Sequence, residues 1–193
     1  MKMIEKIKQQ ISASIAVKES MFHHCIEDIQ FAATLMIDSI RKEGKIIWCG
    51  NGGSAADAQH LATELMGGMT SHDRKPIPSI ALTTDSSFIT AWSNDTGFES
   101  IFSRQIQGLG KAGDVLIGIS TSGNSENVLA AVKQAKFKEL STIVFTGNSG
   151  GKIKGVPDIS INIPSEDTQR IQEAHIMVGQ ILCGLIEDDL LNK

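Results

Sequence analysis

Cysteine, long apolar runs and signal-peptide features are scarce or absent in this chain of 193 residues. The three cysteines, Cys25, Cys49 and Cys183, are widely spaced and set in apolar segments. Their odd number favours buried thiols in a reducing compartment over a disulfide framework or a cysteine zinc site. The apolar runs are too short to cross a membrane, and the amino terminus lacks the apolar core of a signal peptide. These absences predict a cytoplasmic protein with no membrane partner.

An excess of positive charge is also missing. The chain carries 18 Lys and Arg against 22 Asp and Glu, for a net charge of −4 that is spread along the sequence. A protein that binds nucleic acid usually has a concentrated basic surface, so no nucleic-acid partner is predicted. A chain of this length is normally one domain and buries roughly 70% of the surface that its unfolded form exposes. We therefore expect a single domain over residues 1–193.

Glycine and proline are absent from the first 43 residues. Apolar residues recur there at helical spacing, from Ile4 to Ile15 and again from Ile29 to Ile40. This pattern predicts two helices before the first strand. The first helix is amphipathic and lies outside the strand–helix alternation that follows, so we expect it to pack against a partner subunit.

Five apolar runs alternate with helical segments in the rest of the chain. Such alternation predicts right-handed crossovers and a parallel sheet covered by helices on both faces, with ligands at the carboxyl ends of the strands. The predicted fold is α/β, a three-layer αβα sandwich of flavodoxin-like type, with helices at residues 1–43 and an α/β core with a five-stranded parallel sheet at residues 44–193. The predicted strands are residues 45–49, 79–82, 114–119, 141–146 and 158–163, and a long final helix opens at Thr168.

A glycine-rich turn follows the first of these strands. Glycines let the backbone approach a ligand closely, and the helix that starts near Ser54 presents unpaired amides and a partial positive charge to the same place. An anion or a polar sugar fits such a turn. His60 and Glu64 are four residues apart, so both lie on one face of this helix and supply a candidate base.

A dinucleotide is a competing ligand for the same turn. Gly50-x-Gly52-x-x-Ala55 matches the loose fingerprint of such sites. The acidic residue expected about 20 residues further on is missing, because the acidic residue that follows the second strand is Asp85, more than 30 residues past Gly52. The sequence therefore argues against a nicotinamide site.

Hydroxyl side chains follow the third strand, just before a helix resumes at Glu126. Ser120, Thr121, Ser122 and Ser125 are more hydroxyls than a helix cap needs, and with the first helical amides they can surround a phosphate. No lysine stands where a nucleotide P-loop requires one, which excludes an ATP-type site.

Two weaker polar stretches flank the second strand. Arg74 lies in the loop after the first core helix, where it could reach a ligand phosphate, but a solvated loop charge is the favoured interpretation. Residues 93–97 are interpreted as a polar turn between two helical pieces.

Taken with the HxxxE spacing at His60 and Glu64 and the Asn94-Asp95 pair, these segments resemble the phosphoheptose isomerases of the sugar-isomerase (SIS) domain family. The resemblance runs from about Gly44 to Glu187 and includes CGNGGSAADAQH, ALTTD, FSRQ, GDVLIGISTSGNSENV and RIQEAH. It implies interconversion of sedoheptulose 7-phosphate and D-glycero-D-manno-heptose 7-phosphate, the first step of ADP-heptose and lipopolysaccharide core biosynthesis. It also implies a homotetramer with a central bundle of amino-terminal helices and active sites at subunit interfaces.

The resemblance also assigns roles to individual residues. Glu64 is implied as the base. One zinc ion per subunit is implied, with His60, Glu64 and Gln172 at ligand positions. Gln180 stands at the fourth ligand position, where the family has a histidine that is also its proposed general acid. The implied substrate-binding residues are Asn51, Gly52, Gly53, Ser54, Asn94, Asp95, Ser120, Thr121, Ser122, Ser125, Thr168 and Gln172.

Gln180 leaves the activity open at this point. A glutamine amide can coordinate weakly or donate a hydrogen bond, but it cannot exchange a proton near neutral pH. A metal acting as a Lewis acid would make the replacement tolerable. One alternative is the family's non-catalytic tetramer that binds the bacterial replication initiator protein, and another is an isomerase of a different sugar phosphate. Retention of His60, Glu64 and Gln172 favours an enzyme.

Overall fold

A computed structural model describes residues 2–191. Two helices come first, and strands and helices alternate after them, as predicted. In the described part of the chain, no helix is both long and apolar enough to cross a membrane. The elements are α1 (Met3–His24), α2 (Ile26–Arg41), β1 (Ile46–Gly50), α3 (Gly53–Gly67), β2 (Ser79–Ala81), α4 (Ser86–Asp95), α5 (Ile101–Leu109), β3 (Val115–Ile119), α6 (Glu126–Phe137), β4 (Ser141–Gly147), β5 (Ile159–Ile163) and α7 (Thr168–Leu191).

The five strands form one parallel sheet in the order β2-β1-β3-β4-β5. The central strands β1 and β3 are buried along their whole length and pair in register from Ile46–Val115 to Gly50–Ile119. From β1 the chain goes to β2 on one side, and from β3 it goes to β4 on the other. The carboxyl ends of β1 and β3 therefore form the switch point at which open α/β sheets bind ligands.

Apolar residues cover both faces of the sheet and confirm the predicted three layers. One core packs Trp48 and Phe145 against α2, α3 and α7, and the other packs Ile47 and Phe102 against the helices of the opposite face. The three cysteines are buried and unpaired, as predicted. Burial raises the pKa of the Cys49 thiol to about 12, so this thiol stays protonated and unreactive at neutral pH.

The end of α4 differs from the prediction. Residues 93–95 form the last turn of this helix rather than a turn between two helical pieces. The helix begins at an Asp85 cap, whose carboxylate accepts a hydrogen bond of 2.9 Å from the Phe88 amide. It continues to Asp95 because Trp92 anchors the last turns, stacking on Phe88 and lying under the Arg104 guanidinium. Polar side chains on an exposed helix face resemble a turn when only the sequence is read.

Candidate active site

The two predicted binding loops meet at the edge of the sheet where β1 and β3 end. Gly50 pairs with Ile119 at the last register position, so the loops after these strands start side by side. Asn51 and Asn127 join them through a reciprocal amide pair, with both N···O distances 2.8 Å. Asn127 is 3% exposed and was not among the predicted site residues. Its role was only weakly indicated by the sequence, because it is a polar residue in the first turn of a helix that follows a serine loop.

Hydrogen bonds within the serine loop, residues 120–125, and to the neighbouring strand fix its conformation. The Ser120 and Ser125 hydroxyls are 2.9 Å apart and hydrogen-bonded. The end of β4 also supports the loop, because the Gly147 amide donates to the Thr121 carbonyl at 2.9 Å. Gly123 has φ +64°, and a Cβ there would overlap the carbonyl oxygen of Gly150. Only glycine meets both conditions without strain.

A hollow of about 280 Å³ lies beside the serine loop. Thr121 and Ser122 line it from one side, and Thr168 at the start of α7 lines it from another, so three predicted substrate-binding residues share one space. Four further polar lining residues follow β4 and β5 and were not predicted. Because parallel strands end at one edge of the sheet, the position of these residues in the sequence was the available signal. They are Asn148, Ser149, Ser165 and Glu166.

The candidate base lies on the face that α3 turns toward α7. Nε2 of His60 is 2.9 Å from Oε1 of Glu64, and Nε2 of Gln180 is 3.2 Å from each of these atoms. The two helices approach closely because Gly179 has no side chain, and a Cβ there would overlap Leu61. His60 and Glu64 have side-chain exposures of 52% and 20%, so both are open to a small molecule.

Of the four positions implied for zinc, three come together. His60, Glu64 and Gln180 form the cluster, whereas the amide of Gln172 faces the start of α3, where a Cβ on Gly53 would lie 2.8 Å from its Nε2. The cluster offers one imidazole and one carboxylate, and within residues 2–191 no group of three His, Cys, Asp or Glu could hold a metal. Zinc prefers such donors to amides, so the cluster does not fit a tight zinc site. Zinc stays a prediction of the resemblance.

The remaining predicted residues lie near the two loops or at the end of α4. Gly52, with φ +56°, precedes the first turn of α3, and Ser54 is buried in that turn. The Asn94 amide donates to the Asp95 carboxylate at 2.8 Å, and both residues are exposed. The assignment of these residues to substrate binding stays a prediction.

Arg74 is neither a solvated loop charge nor a phosphate ligand, so the favoured interpretation was wrong. Its side chain is 4% exposed, and its Nε lies 2.6 Å from Oε2 of Glu187, which is 1% exposed. Its Nη2 donates to the carbonyls of Glu64 and Leu65 at 2.9 and 2.8 Å, which caps the end of α3. A clue was available in Glu187, because it lies one turn after Cys183 on the buried face of α7, where a carboxylate requires a partner.

His175 lies on the same helix as Gln180 but has a different environment. It is fully buried, its Nε2 is 3.1 Å from the Thr146 carbonyl, and its ring packs near Phe145. Burial lowers the pKa of His175 to about 4, although the hydrogen bond to Thr146 opposes the shift. A neutral, buried imidazole cannot replace the missing histidine at position 180.

Comparison with known proteins gives a consistent result. The SIS domain family matches residues 9–147. A phosphoheptose isomerase from Sulfurimonas denitrificans is 46% identical over 186 residues, covering 95% of each chain. One from Clostridium acetobutylicum is 47% identical over 189 residues, covering 97% of this chain and 96% of the relative. The solved phosphoheptose isomerase from Francisella tularensis superposes with a TM-score of 0.94 at 37% identity, covering 97% of this chain and all of that one.

Proposed function

This chain belongs to the SIS domain family, and we propose that it is a phosphoheptose isomerase that interconverts sedoheptulose 7-phosphate and D-glycero-D-manno-heptose 7-phosphate. The full-length similarity to phosphoheptose isomerases supports the reaction. One structural observation carries the proposal. A carboxylate held by hydrogen bonds, Glu64, lies on the same helix whose first turn adjoins a hydroxyl-rich loop suited to phosphate.

The reaction moves a hydrogen between the first two carbons of the sugar. Glu64 takes a proton from the hydroxyl-bearing carbon next to the carbonyl, which gives an enediolate, and returns that proton to the carbon that was the carbonyl. The hydroxyl group loses its proton and the former carbonyl oxygen gains one in the same sequence of steps, so the product is an isomer with no atom gained or lost. An amide at position 180 can donate a hydrogen bond to a developing oxyanion, but it does not release its proton.

The serine loop is the proposed phosphate site. Its hydroxyls and the first amides of α6 are neutral donors, and the partial positive charge of the helix start favours a bound dianion. The hollow lined by Thr121, Ser122 and Thr168 gives room beside them. Asn51, which pairs with Asn127 between the two loops, is proposed to contact the sugar.

The amino-terminal helix supports self-association. Ile4, Ile7, Ile11 and Ile15 are 50–64% exposed and lie on one stripe of α1, which buries only Met21 within this chain. An exposed apolar stripe on a helix is typical of an interface. We propose that a second copy of the chain covers it, in the homotetramer that the resemblance implies. The cytoplasmic location and the role in ADP-heptose and lipopolysaccharide core biosynthesis are proposed on the same resemblance.

Replacing Glu64 with glutamine tests the function. Glu64→Gln is expected to lower turnover of sedoheptulose 7-phosphate by about 100- to 10,000-fold, because the base is lost. The sugar phosphate should still bind. Proton NMR of aldose formation measures turnover, and calorimetric titration measures binding. Glu27→Gln is the matched control, since Glu27 is exposed and also follows a histidine, His23, by four residues.

The outcomes separate the alternatives. Equal turnover in wild type and Glu64→Gln would contradict the assigned base. A wild-type protein that ignores sedoheptulose 7-phosphate but isomerises another ketose phosphate would be a different isomerase of the family. A protein that turns over no sugar phosphate, yet binds the replication initiator protein with equal affinity before and after Glu64→Gln, would be the non-catalytic scaffold.

A further inference from the structure

We propose that Gln180 is a positioning residue that organises this site by hydrogen bonds in place of a metal ion. Its amide and the His60 imidazole hold the Glu64 carboxylate, and the site functions without zinc. The role of Glu64 as the base rests on the proposed function, whereas the hydrogen-bond arrangement rests on the geometry alone. The proposal has two parts, a weak affinity for zinc and a fixed orientation of the base.

The chemistry of the three side chains determines which atom donates. A carboxylate only accepts, so the Nε2 of His60, 2.9 Å from Oε1 of Glu64, must carry a hydrogen and donate it. The Gln180 amide nitrogen, 3.2 Å from the same oxygen, is a second donor. Turning this amide over would place its oxygen against a carboxylate oxygen, two acceptors in contact. The amide nitrogen also lies 3.2 Å from Nε2 of His60, and this third contact is not a hydrogen bond because both nitrogens carry hydrogens. Two donors on one carboxylate oxygen are therefore the arrangement that satisfies the carboxylate.

This arrangement uses the atoms that a metal would need. A metal binds the unprotonated nitrogen of a neutral imidazole, but the Nε2 of His60 is engaged as a donor to Glu64. The Gln180 amide presents nitrogen, and an amide nitrogen has no lone pair to give a metal. Gln172, the fourth implied ligand, faces Gly53 instead. Zinc would have to break the hydrogen bonds and would gain only two strong donors.

The same bonds orient the base. Two donors on Oε1 fix the carboxylate plane and the direction of Oε2, which reduces the orientations that Glu64 samples. A base must be held within about 0.5 Å of its productive position, and a misplacement of about 1 Å costs up to about 100-fold in rate. Gln180 therefore acts through Glu64 and does not itself exchange a proton.

Zinc affinity tests the first part. Competition against a chromogenic chelator is measured for wild type, Gln180→His and Gln169→His. Gln180→His adds a third strong donor to the cluster, and Gln169→His adds a histidine at an exposed position of the same helix. We expect Gln180→His alone to bind zinc at least about 100-fold more tightly than wild type. Wild type that binds one zinc per chain as tightly as Gln180→His would overturn the proposal.

Turnover tests the second part. Wild-type turnover is expected to be unchanged by a chelator, whereas Gln180→Leu is expected to lower kcat by about 10- to 100-fold with KM for the sugar phosphate unchanged. Loss of wild-type turnover on chelation would overturn the zinc-free site. An unchanged kcat in Gln180→Leu would overturn the positioning role. So would a fall in kcat no larger than the fraction of this variant that urea titration shows to be unfolded. If wild type turns over no heptose phosphate, the proposed function fails while the zinc comparison still decides the metal part.

Discussion

Replacing Arg74 with methionine is expected to destabilise the chain and to disturb Glu64, the proposed base. Glu187 accepts from Nε of Arg74 at 2.6 Å and from the backbone amides of Met69, Thr70 and Ser71 at 2.8, 2.6 and 3.0 Å. Burial alone would raise the pKa of Glu187, but the hydrogen bonds from Thr70, Met69 and Arg74 outweigh it and hold this pKa well below its ordinary value. The carboxylate is therefore charged at neutral pH, and Arg74 is its buried counter-ion.

The magnitude follows from the burial of the pair. The side chains of Arg74 and Glu187 are 4% and 1% exposed, and removing one partner of such a pair costs about 3–5 kcal/mol. The backbone amides that remain on Glu187 place the expected loss near the lower end, about 3 kcal/mol. A domain is stable by about 5–15 kcal/mol, so the variant should still fold. Methionine also removes the cap on the carbonyls of Glu64 and Leu65, so the last turn of α3 is expected to fray and kcat to fall.

Urea unfolding followed by circular dichroism measures this loss, at one fixed protein concentration because self-association adds to apparent stability. Lys136→Met is the matched control. Lys136 pairs with Asp158 at 2.6 Å, but their side chains are 43% and 41% exposed, so its loss is expected to cost about 0–1 kcal/mol. An Arg74→Met variant no less stable than Lys136→Met would refute the reasoning.

Three further results are expected. Gly123→Ala should raise KM for the sugar phosphate about tenfold or more, because φ +64° costs alanine about 1–2 kcal/mol and the added methyl group would overlap Gly150. An unchanged KM would show that this loop does not bind the phosphate. The pKa of His175 is lowered to about 4 in the folded chain, so a fall in pH from about 6.5 to 4 protonates the unfolded chain first and removes about 3 kcal/mol of stability. Urea unfolding of His175→Gln at several pH values should lack this part of the pH dependence. Ile11→Lys should lower the mass measured by light scattering while Gln9→Lys does not, and an unchanged mass in both would place the interface elsewhere.

The sheet could be predicted from the sequence because buried parallel strands are continuous apolar runs, as in residues 114–119. The two loops could be predicted as well, because glycine and hydroxyl residues directly follow β1 and β3. The partner of Arg74 could not, since Glu187 lies 113 residues further along the chain and no local pattern connects them. The orientation of Gln180 depends on how closely α3 and α7 pack. Gly179 permits this close packing, but a glycine in the sequence does not predict it.

Helix α3 connects the two halves of the proposed site, because its start adjoins the predicted binding loops and its last turns carry the proposed base. Different contacts fix each end: the Asn51–Asn127 amide pair lies just before the start, and the Arg74 guanidinium caps the end. A change at the start should therefore alter substrate binding before it alters the chemical step. A change at the end should alter the chemical step before it alters binding. This separation requires that the helix between them stay rigid, which its packing of Leu61 and Leu65 into the core provides.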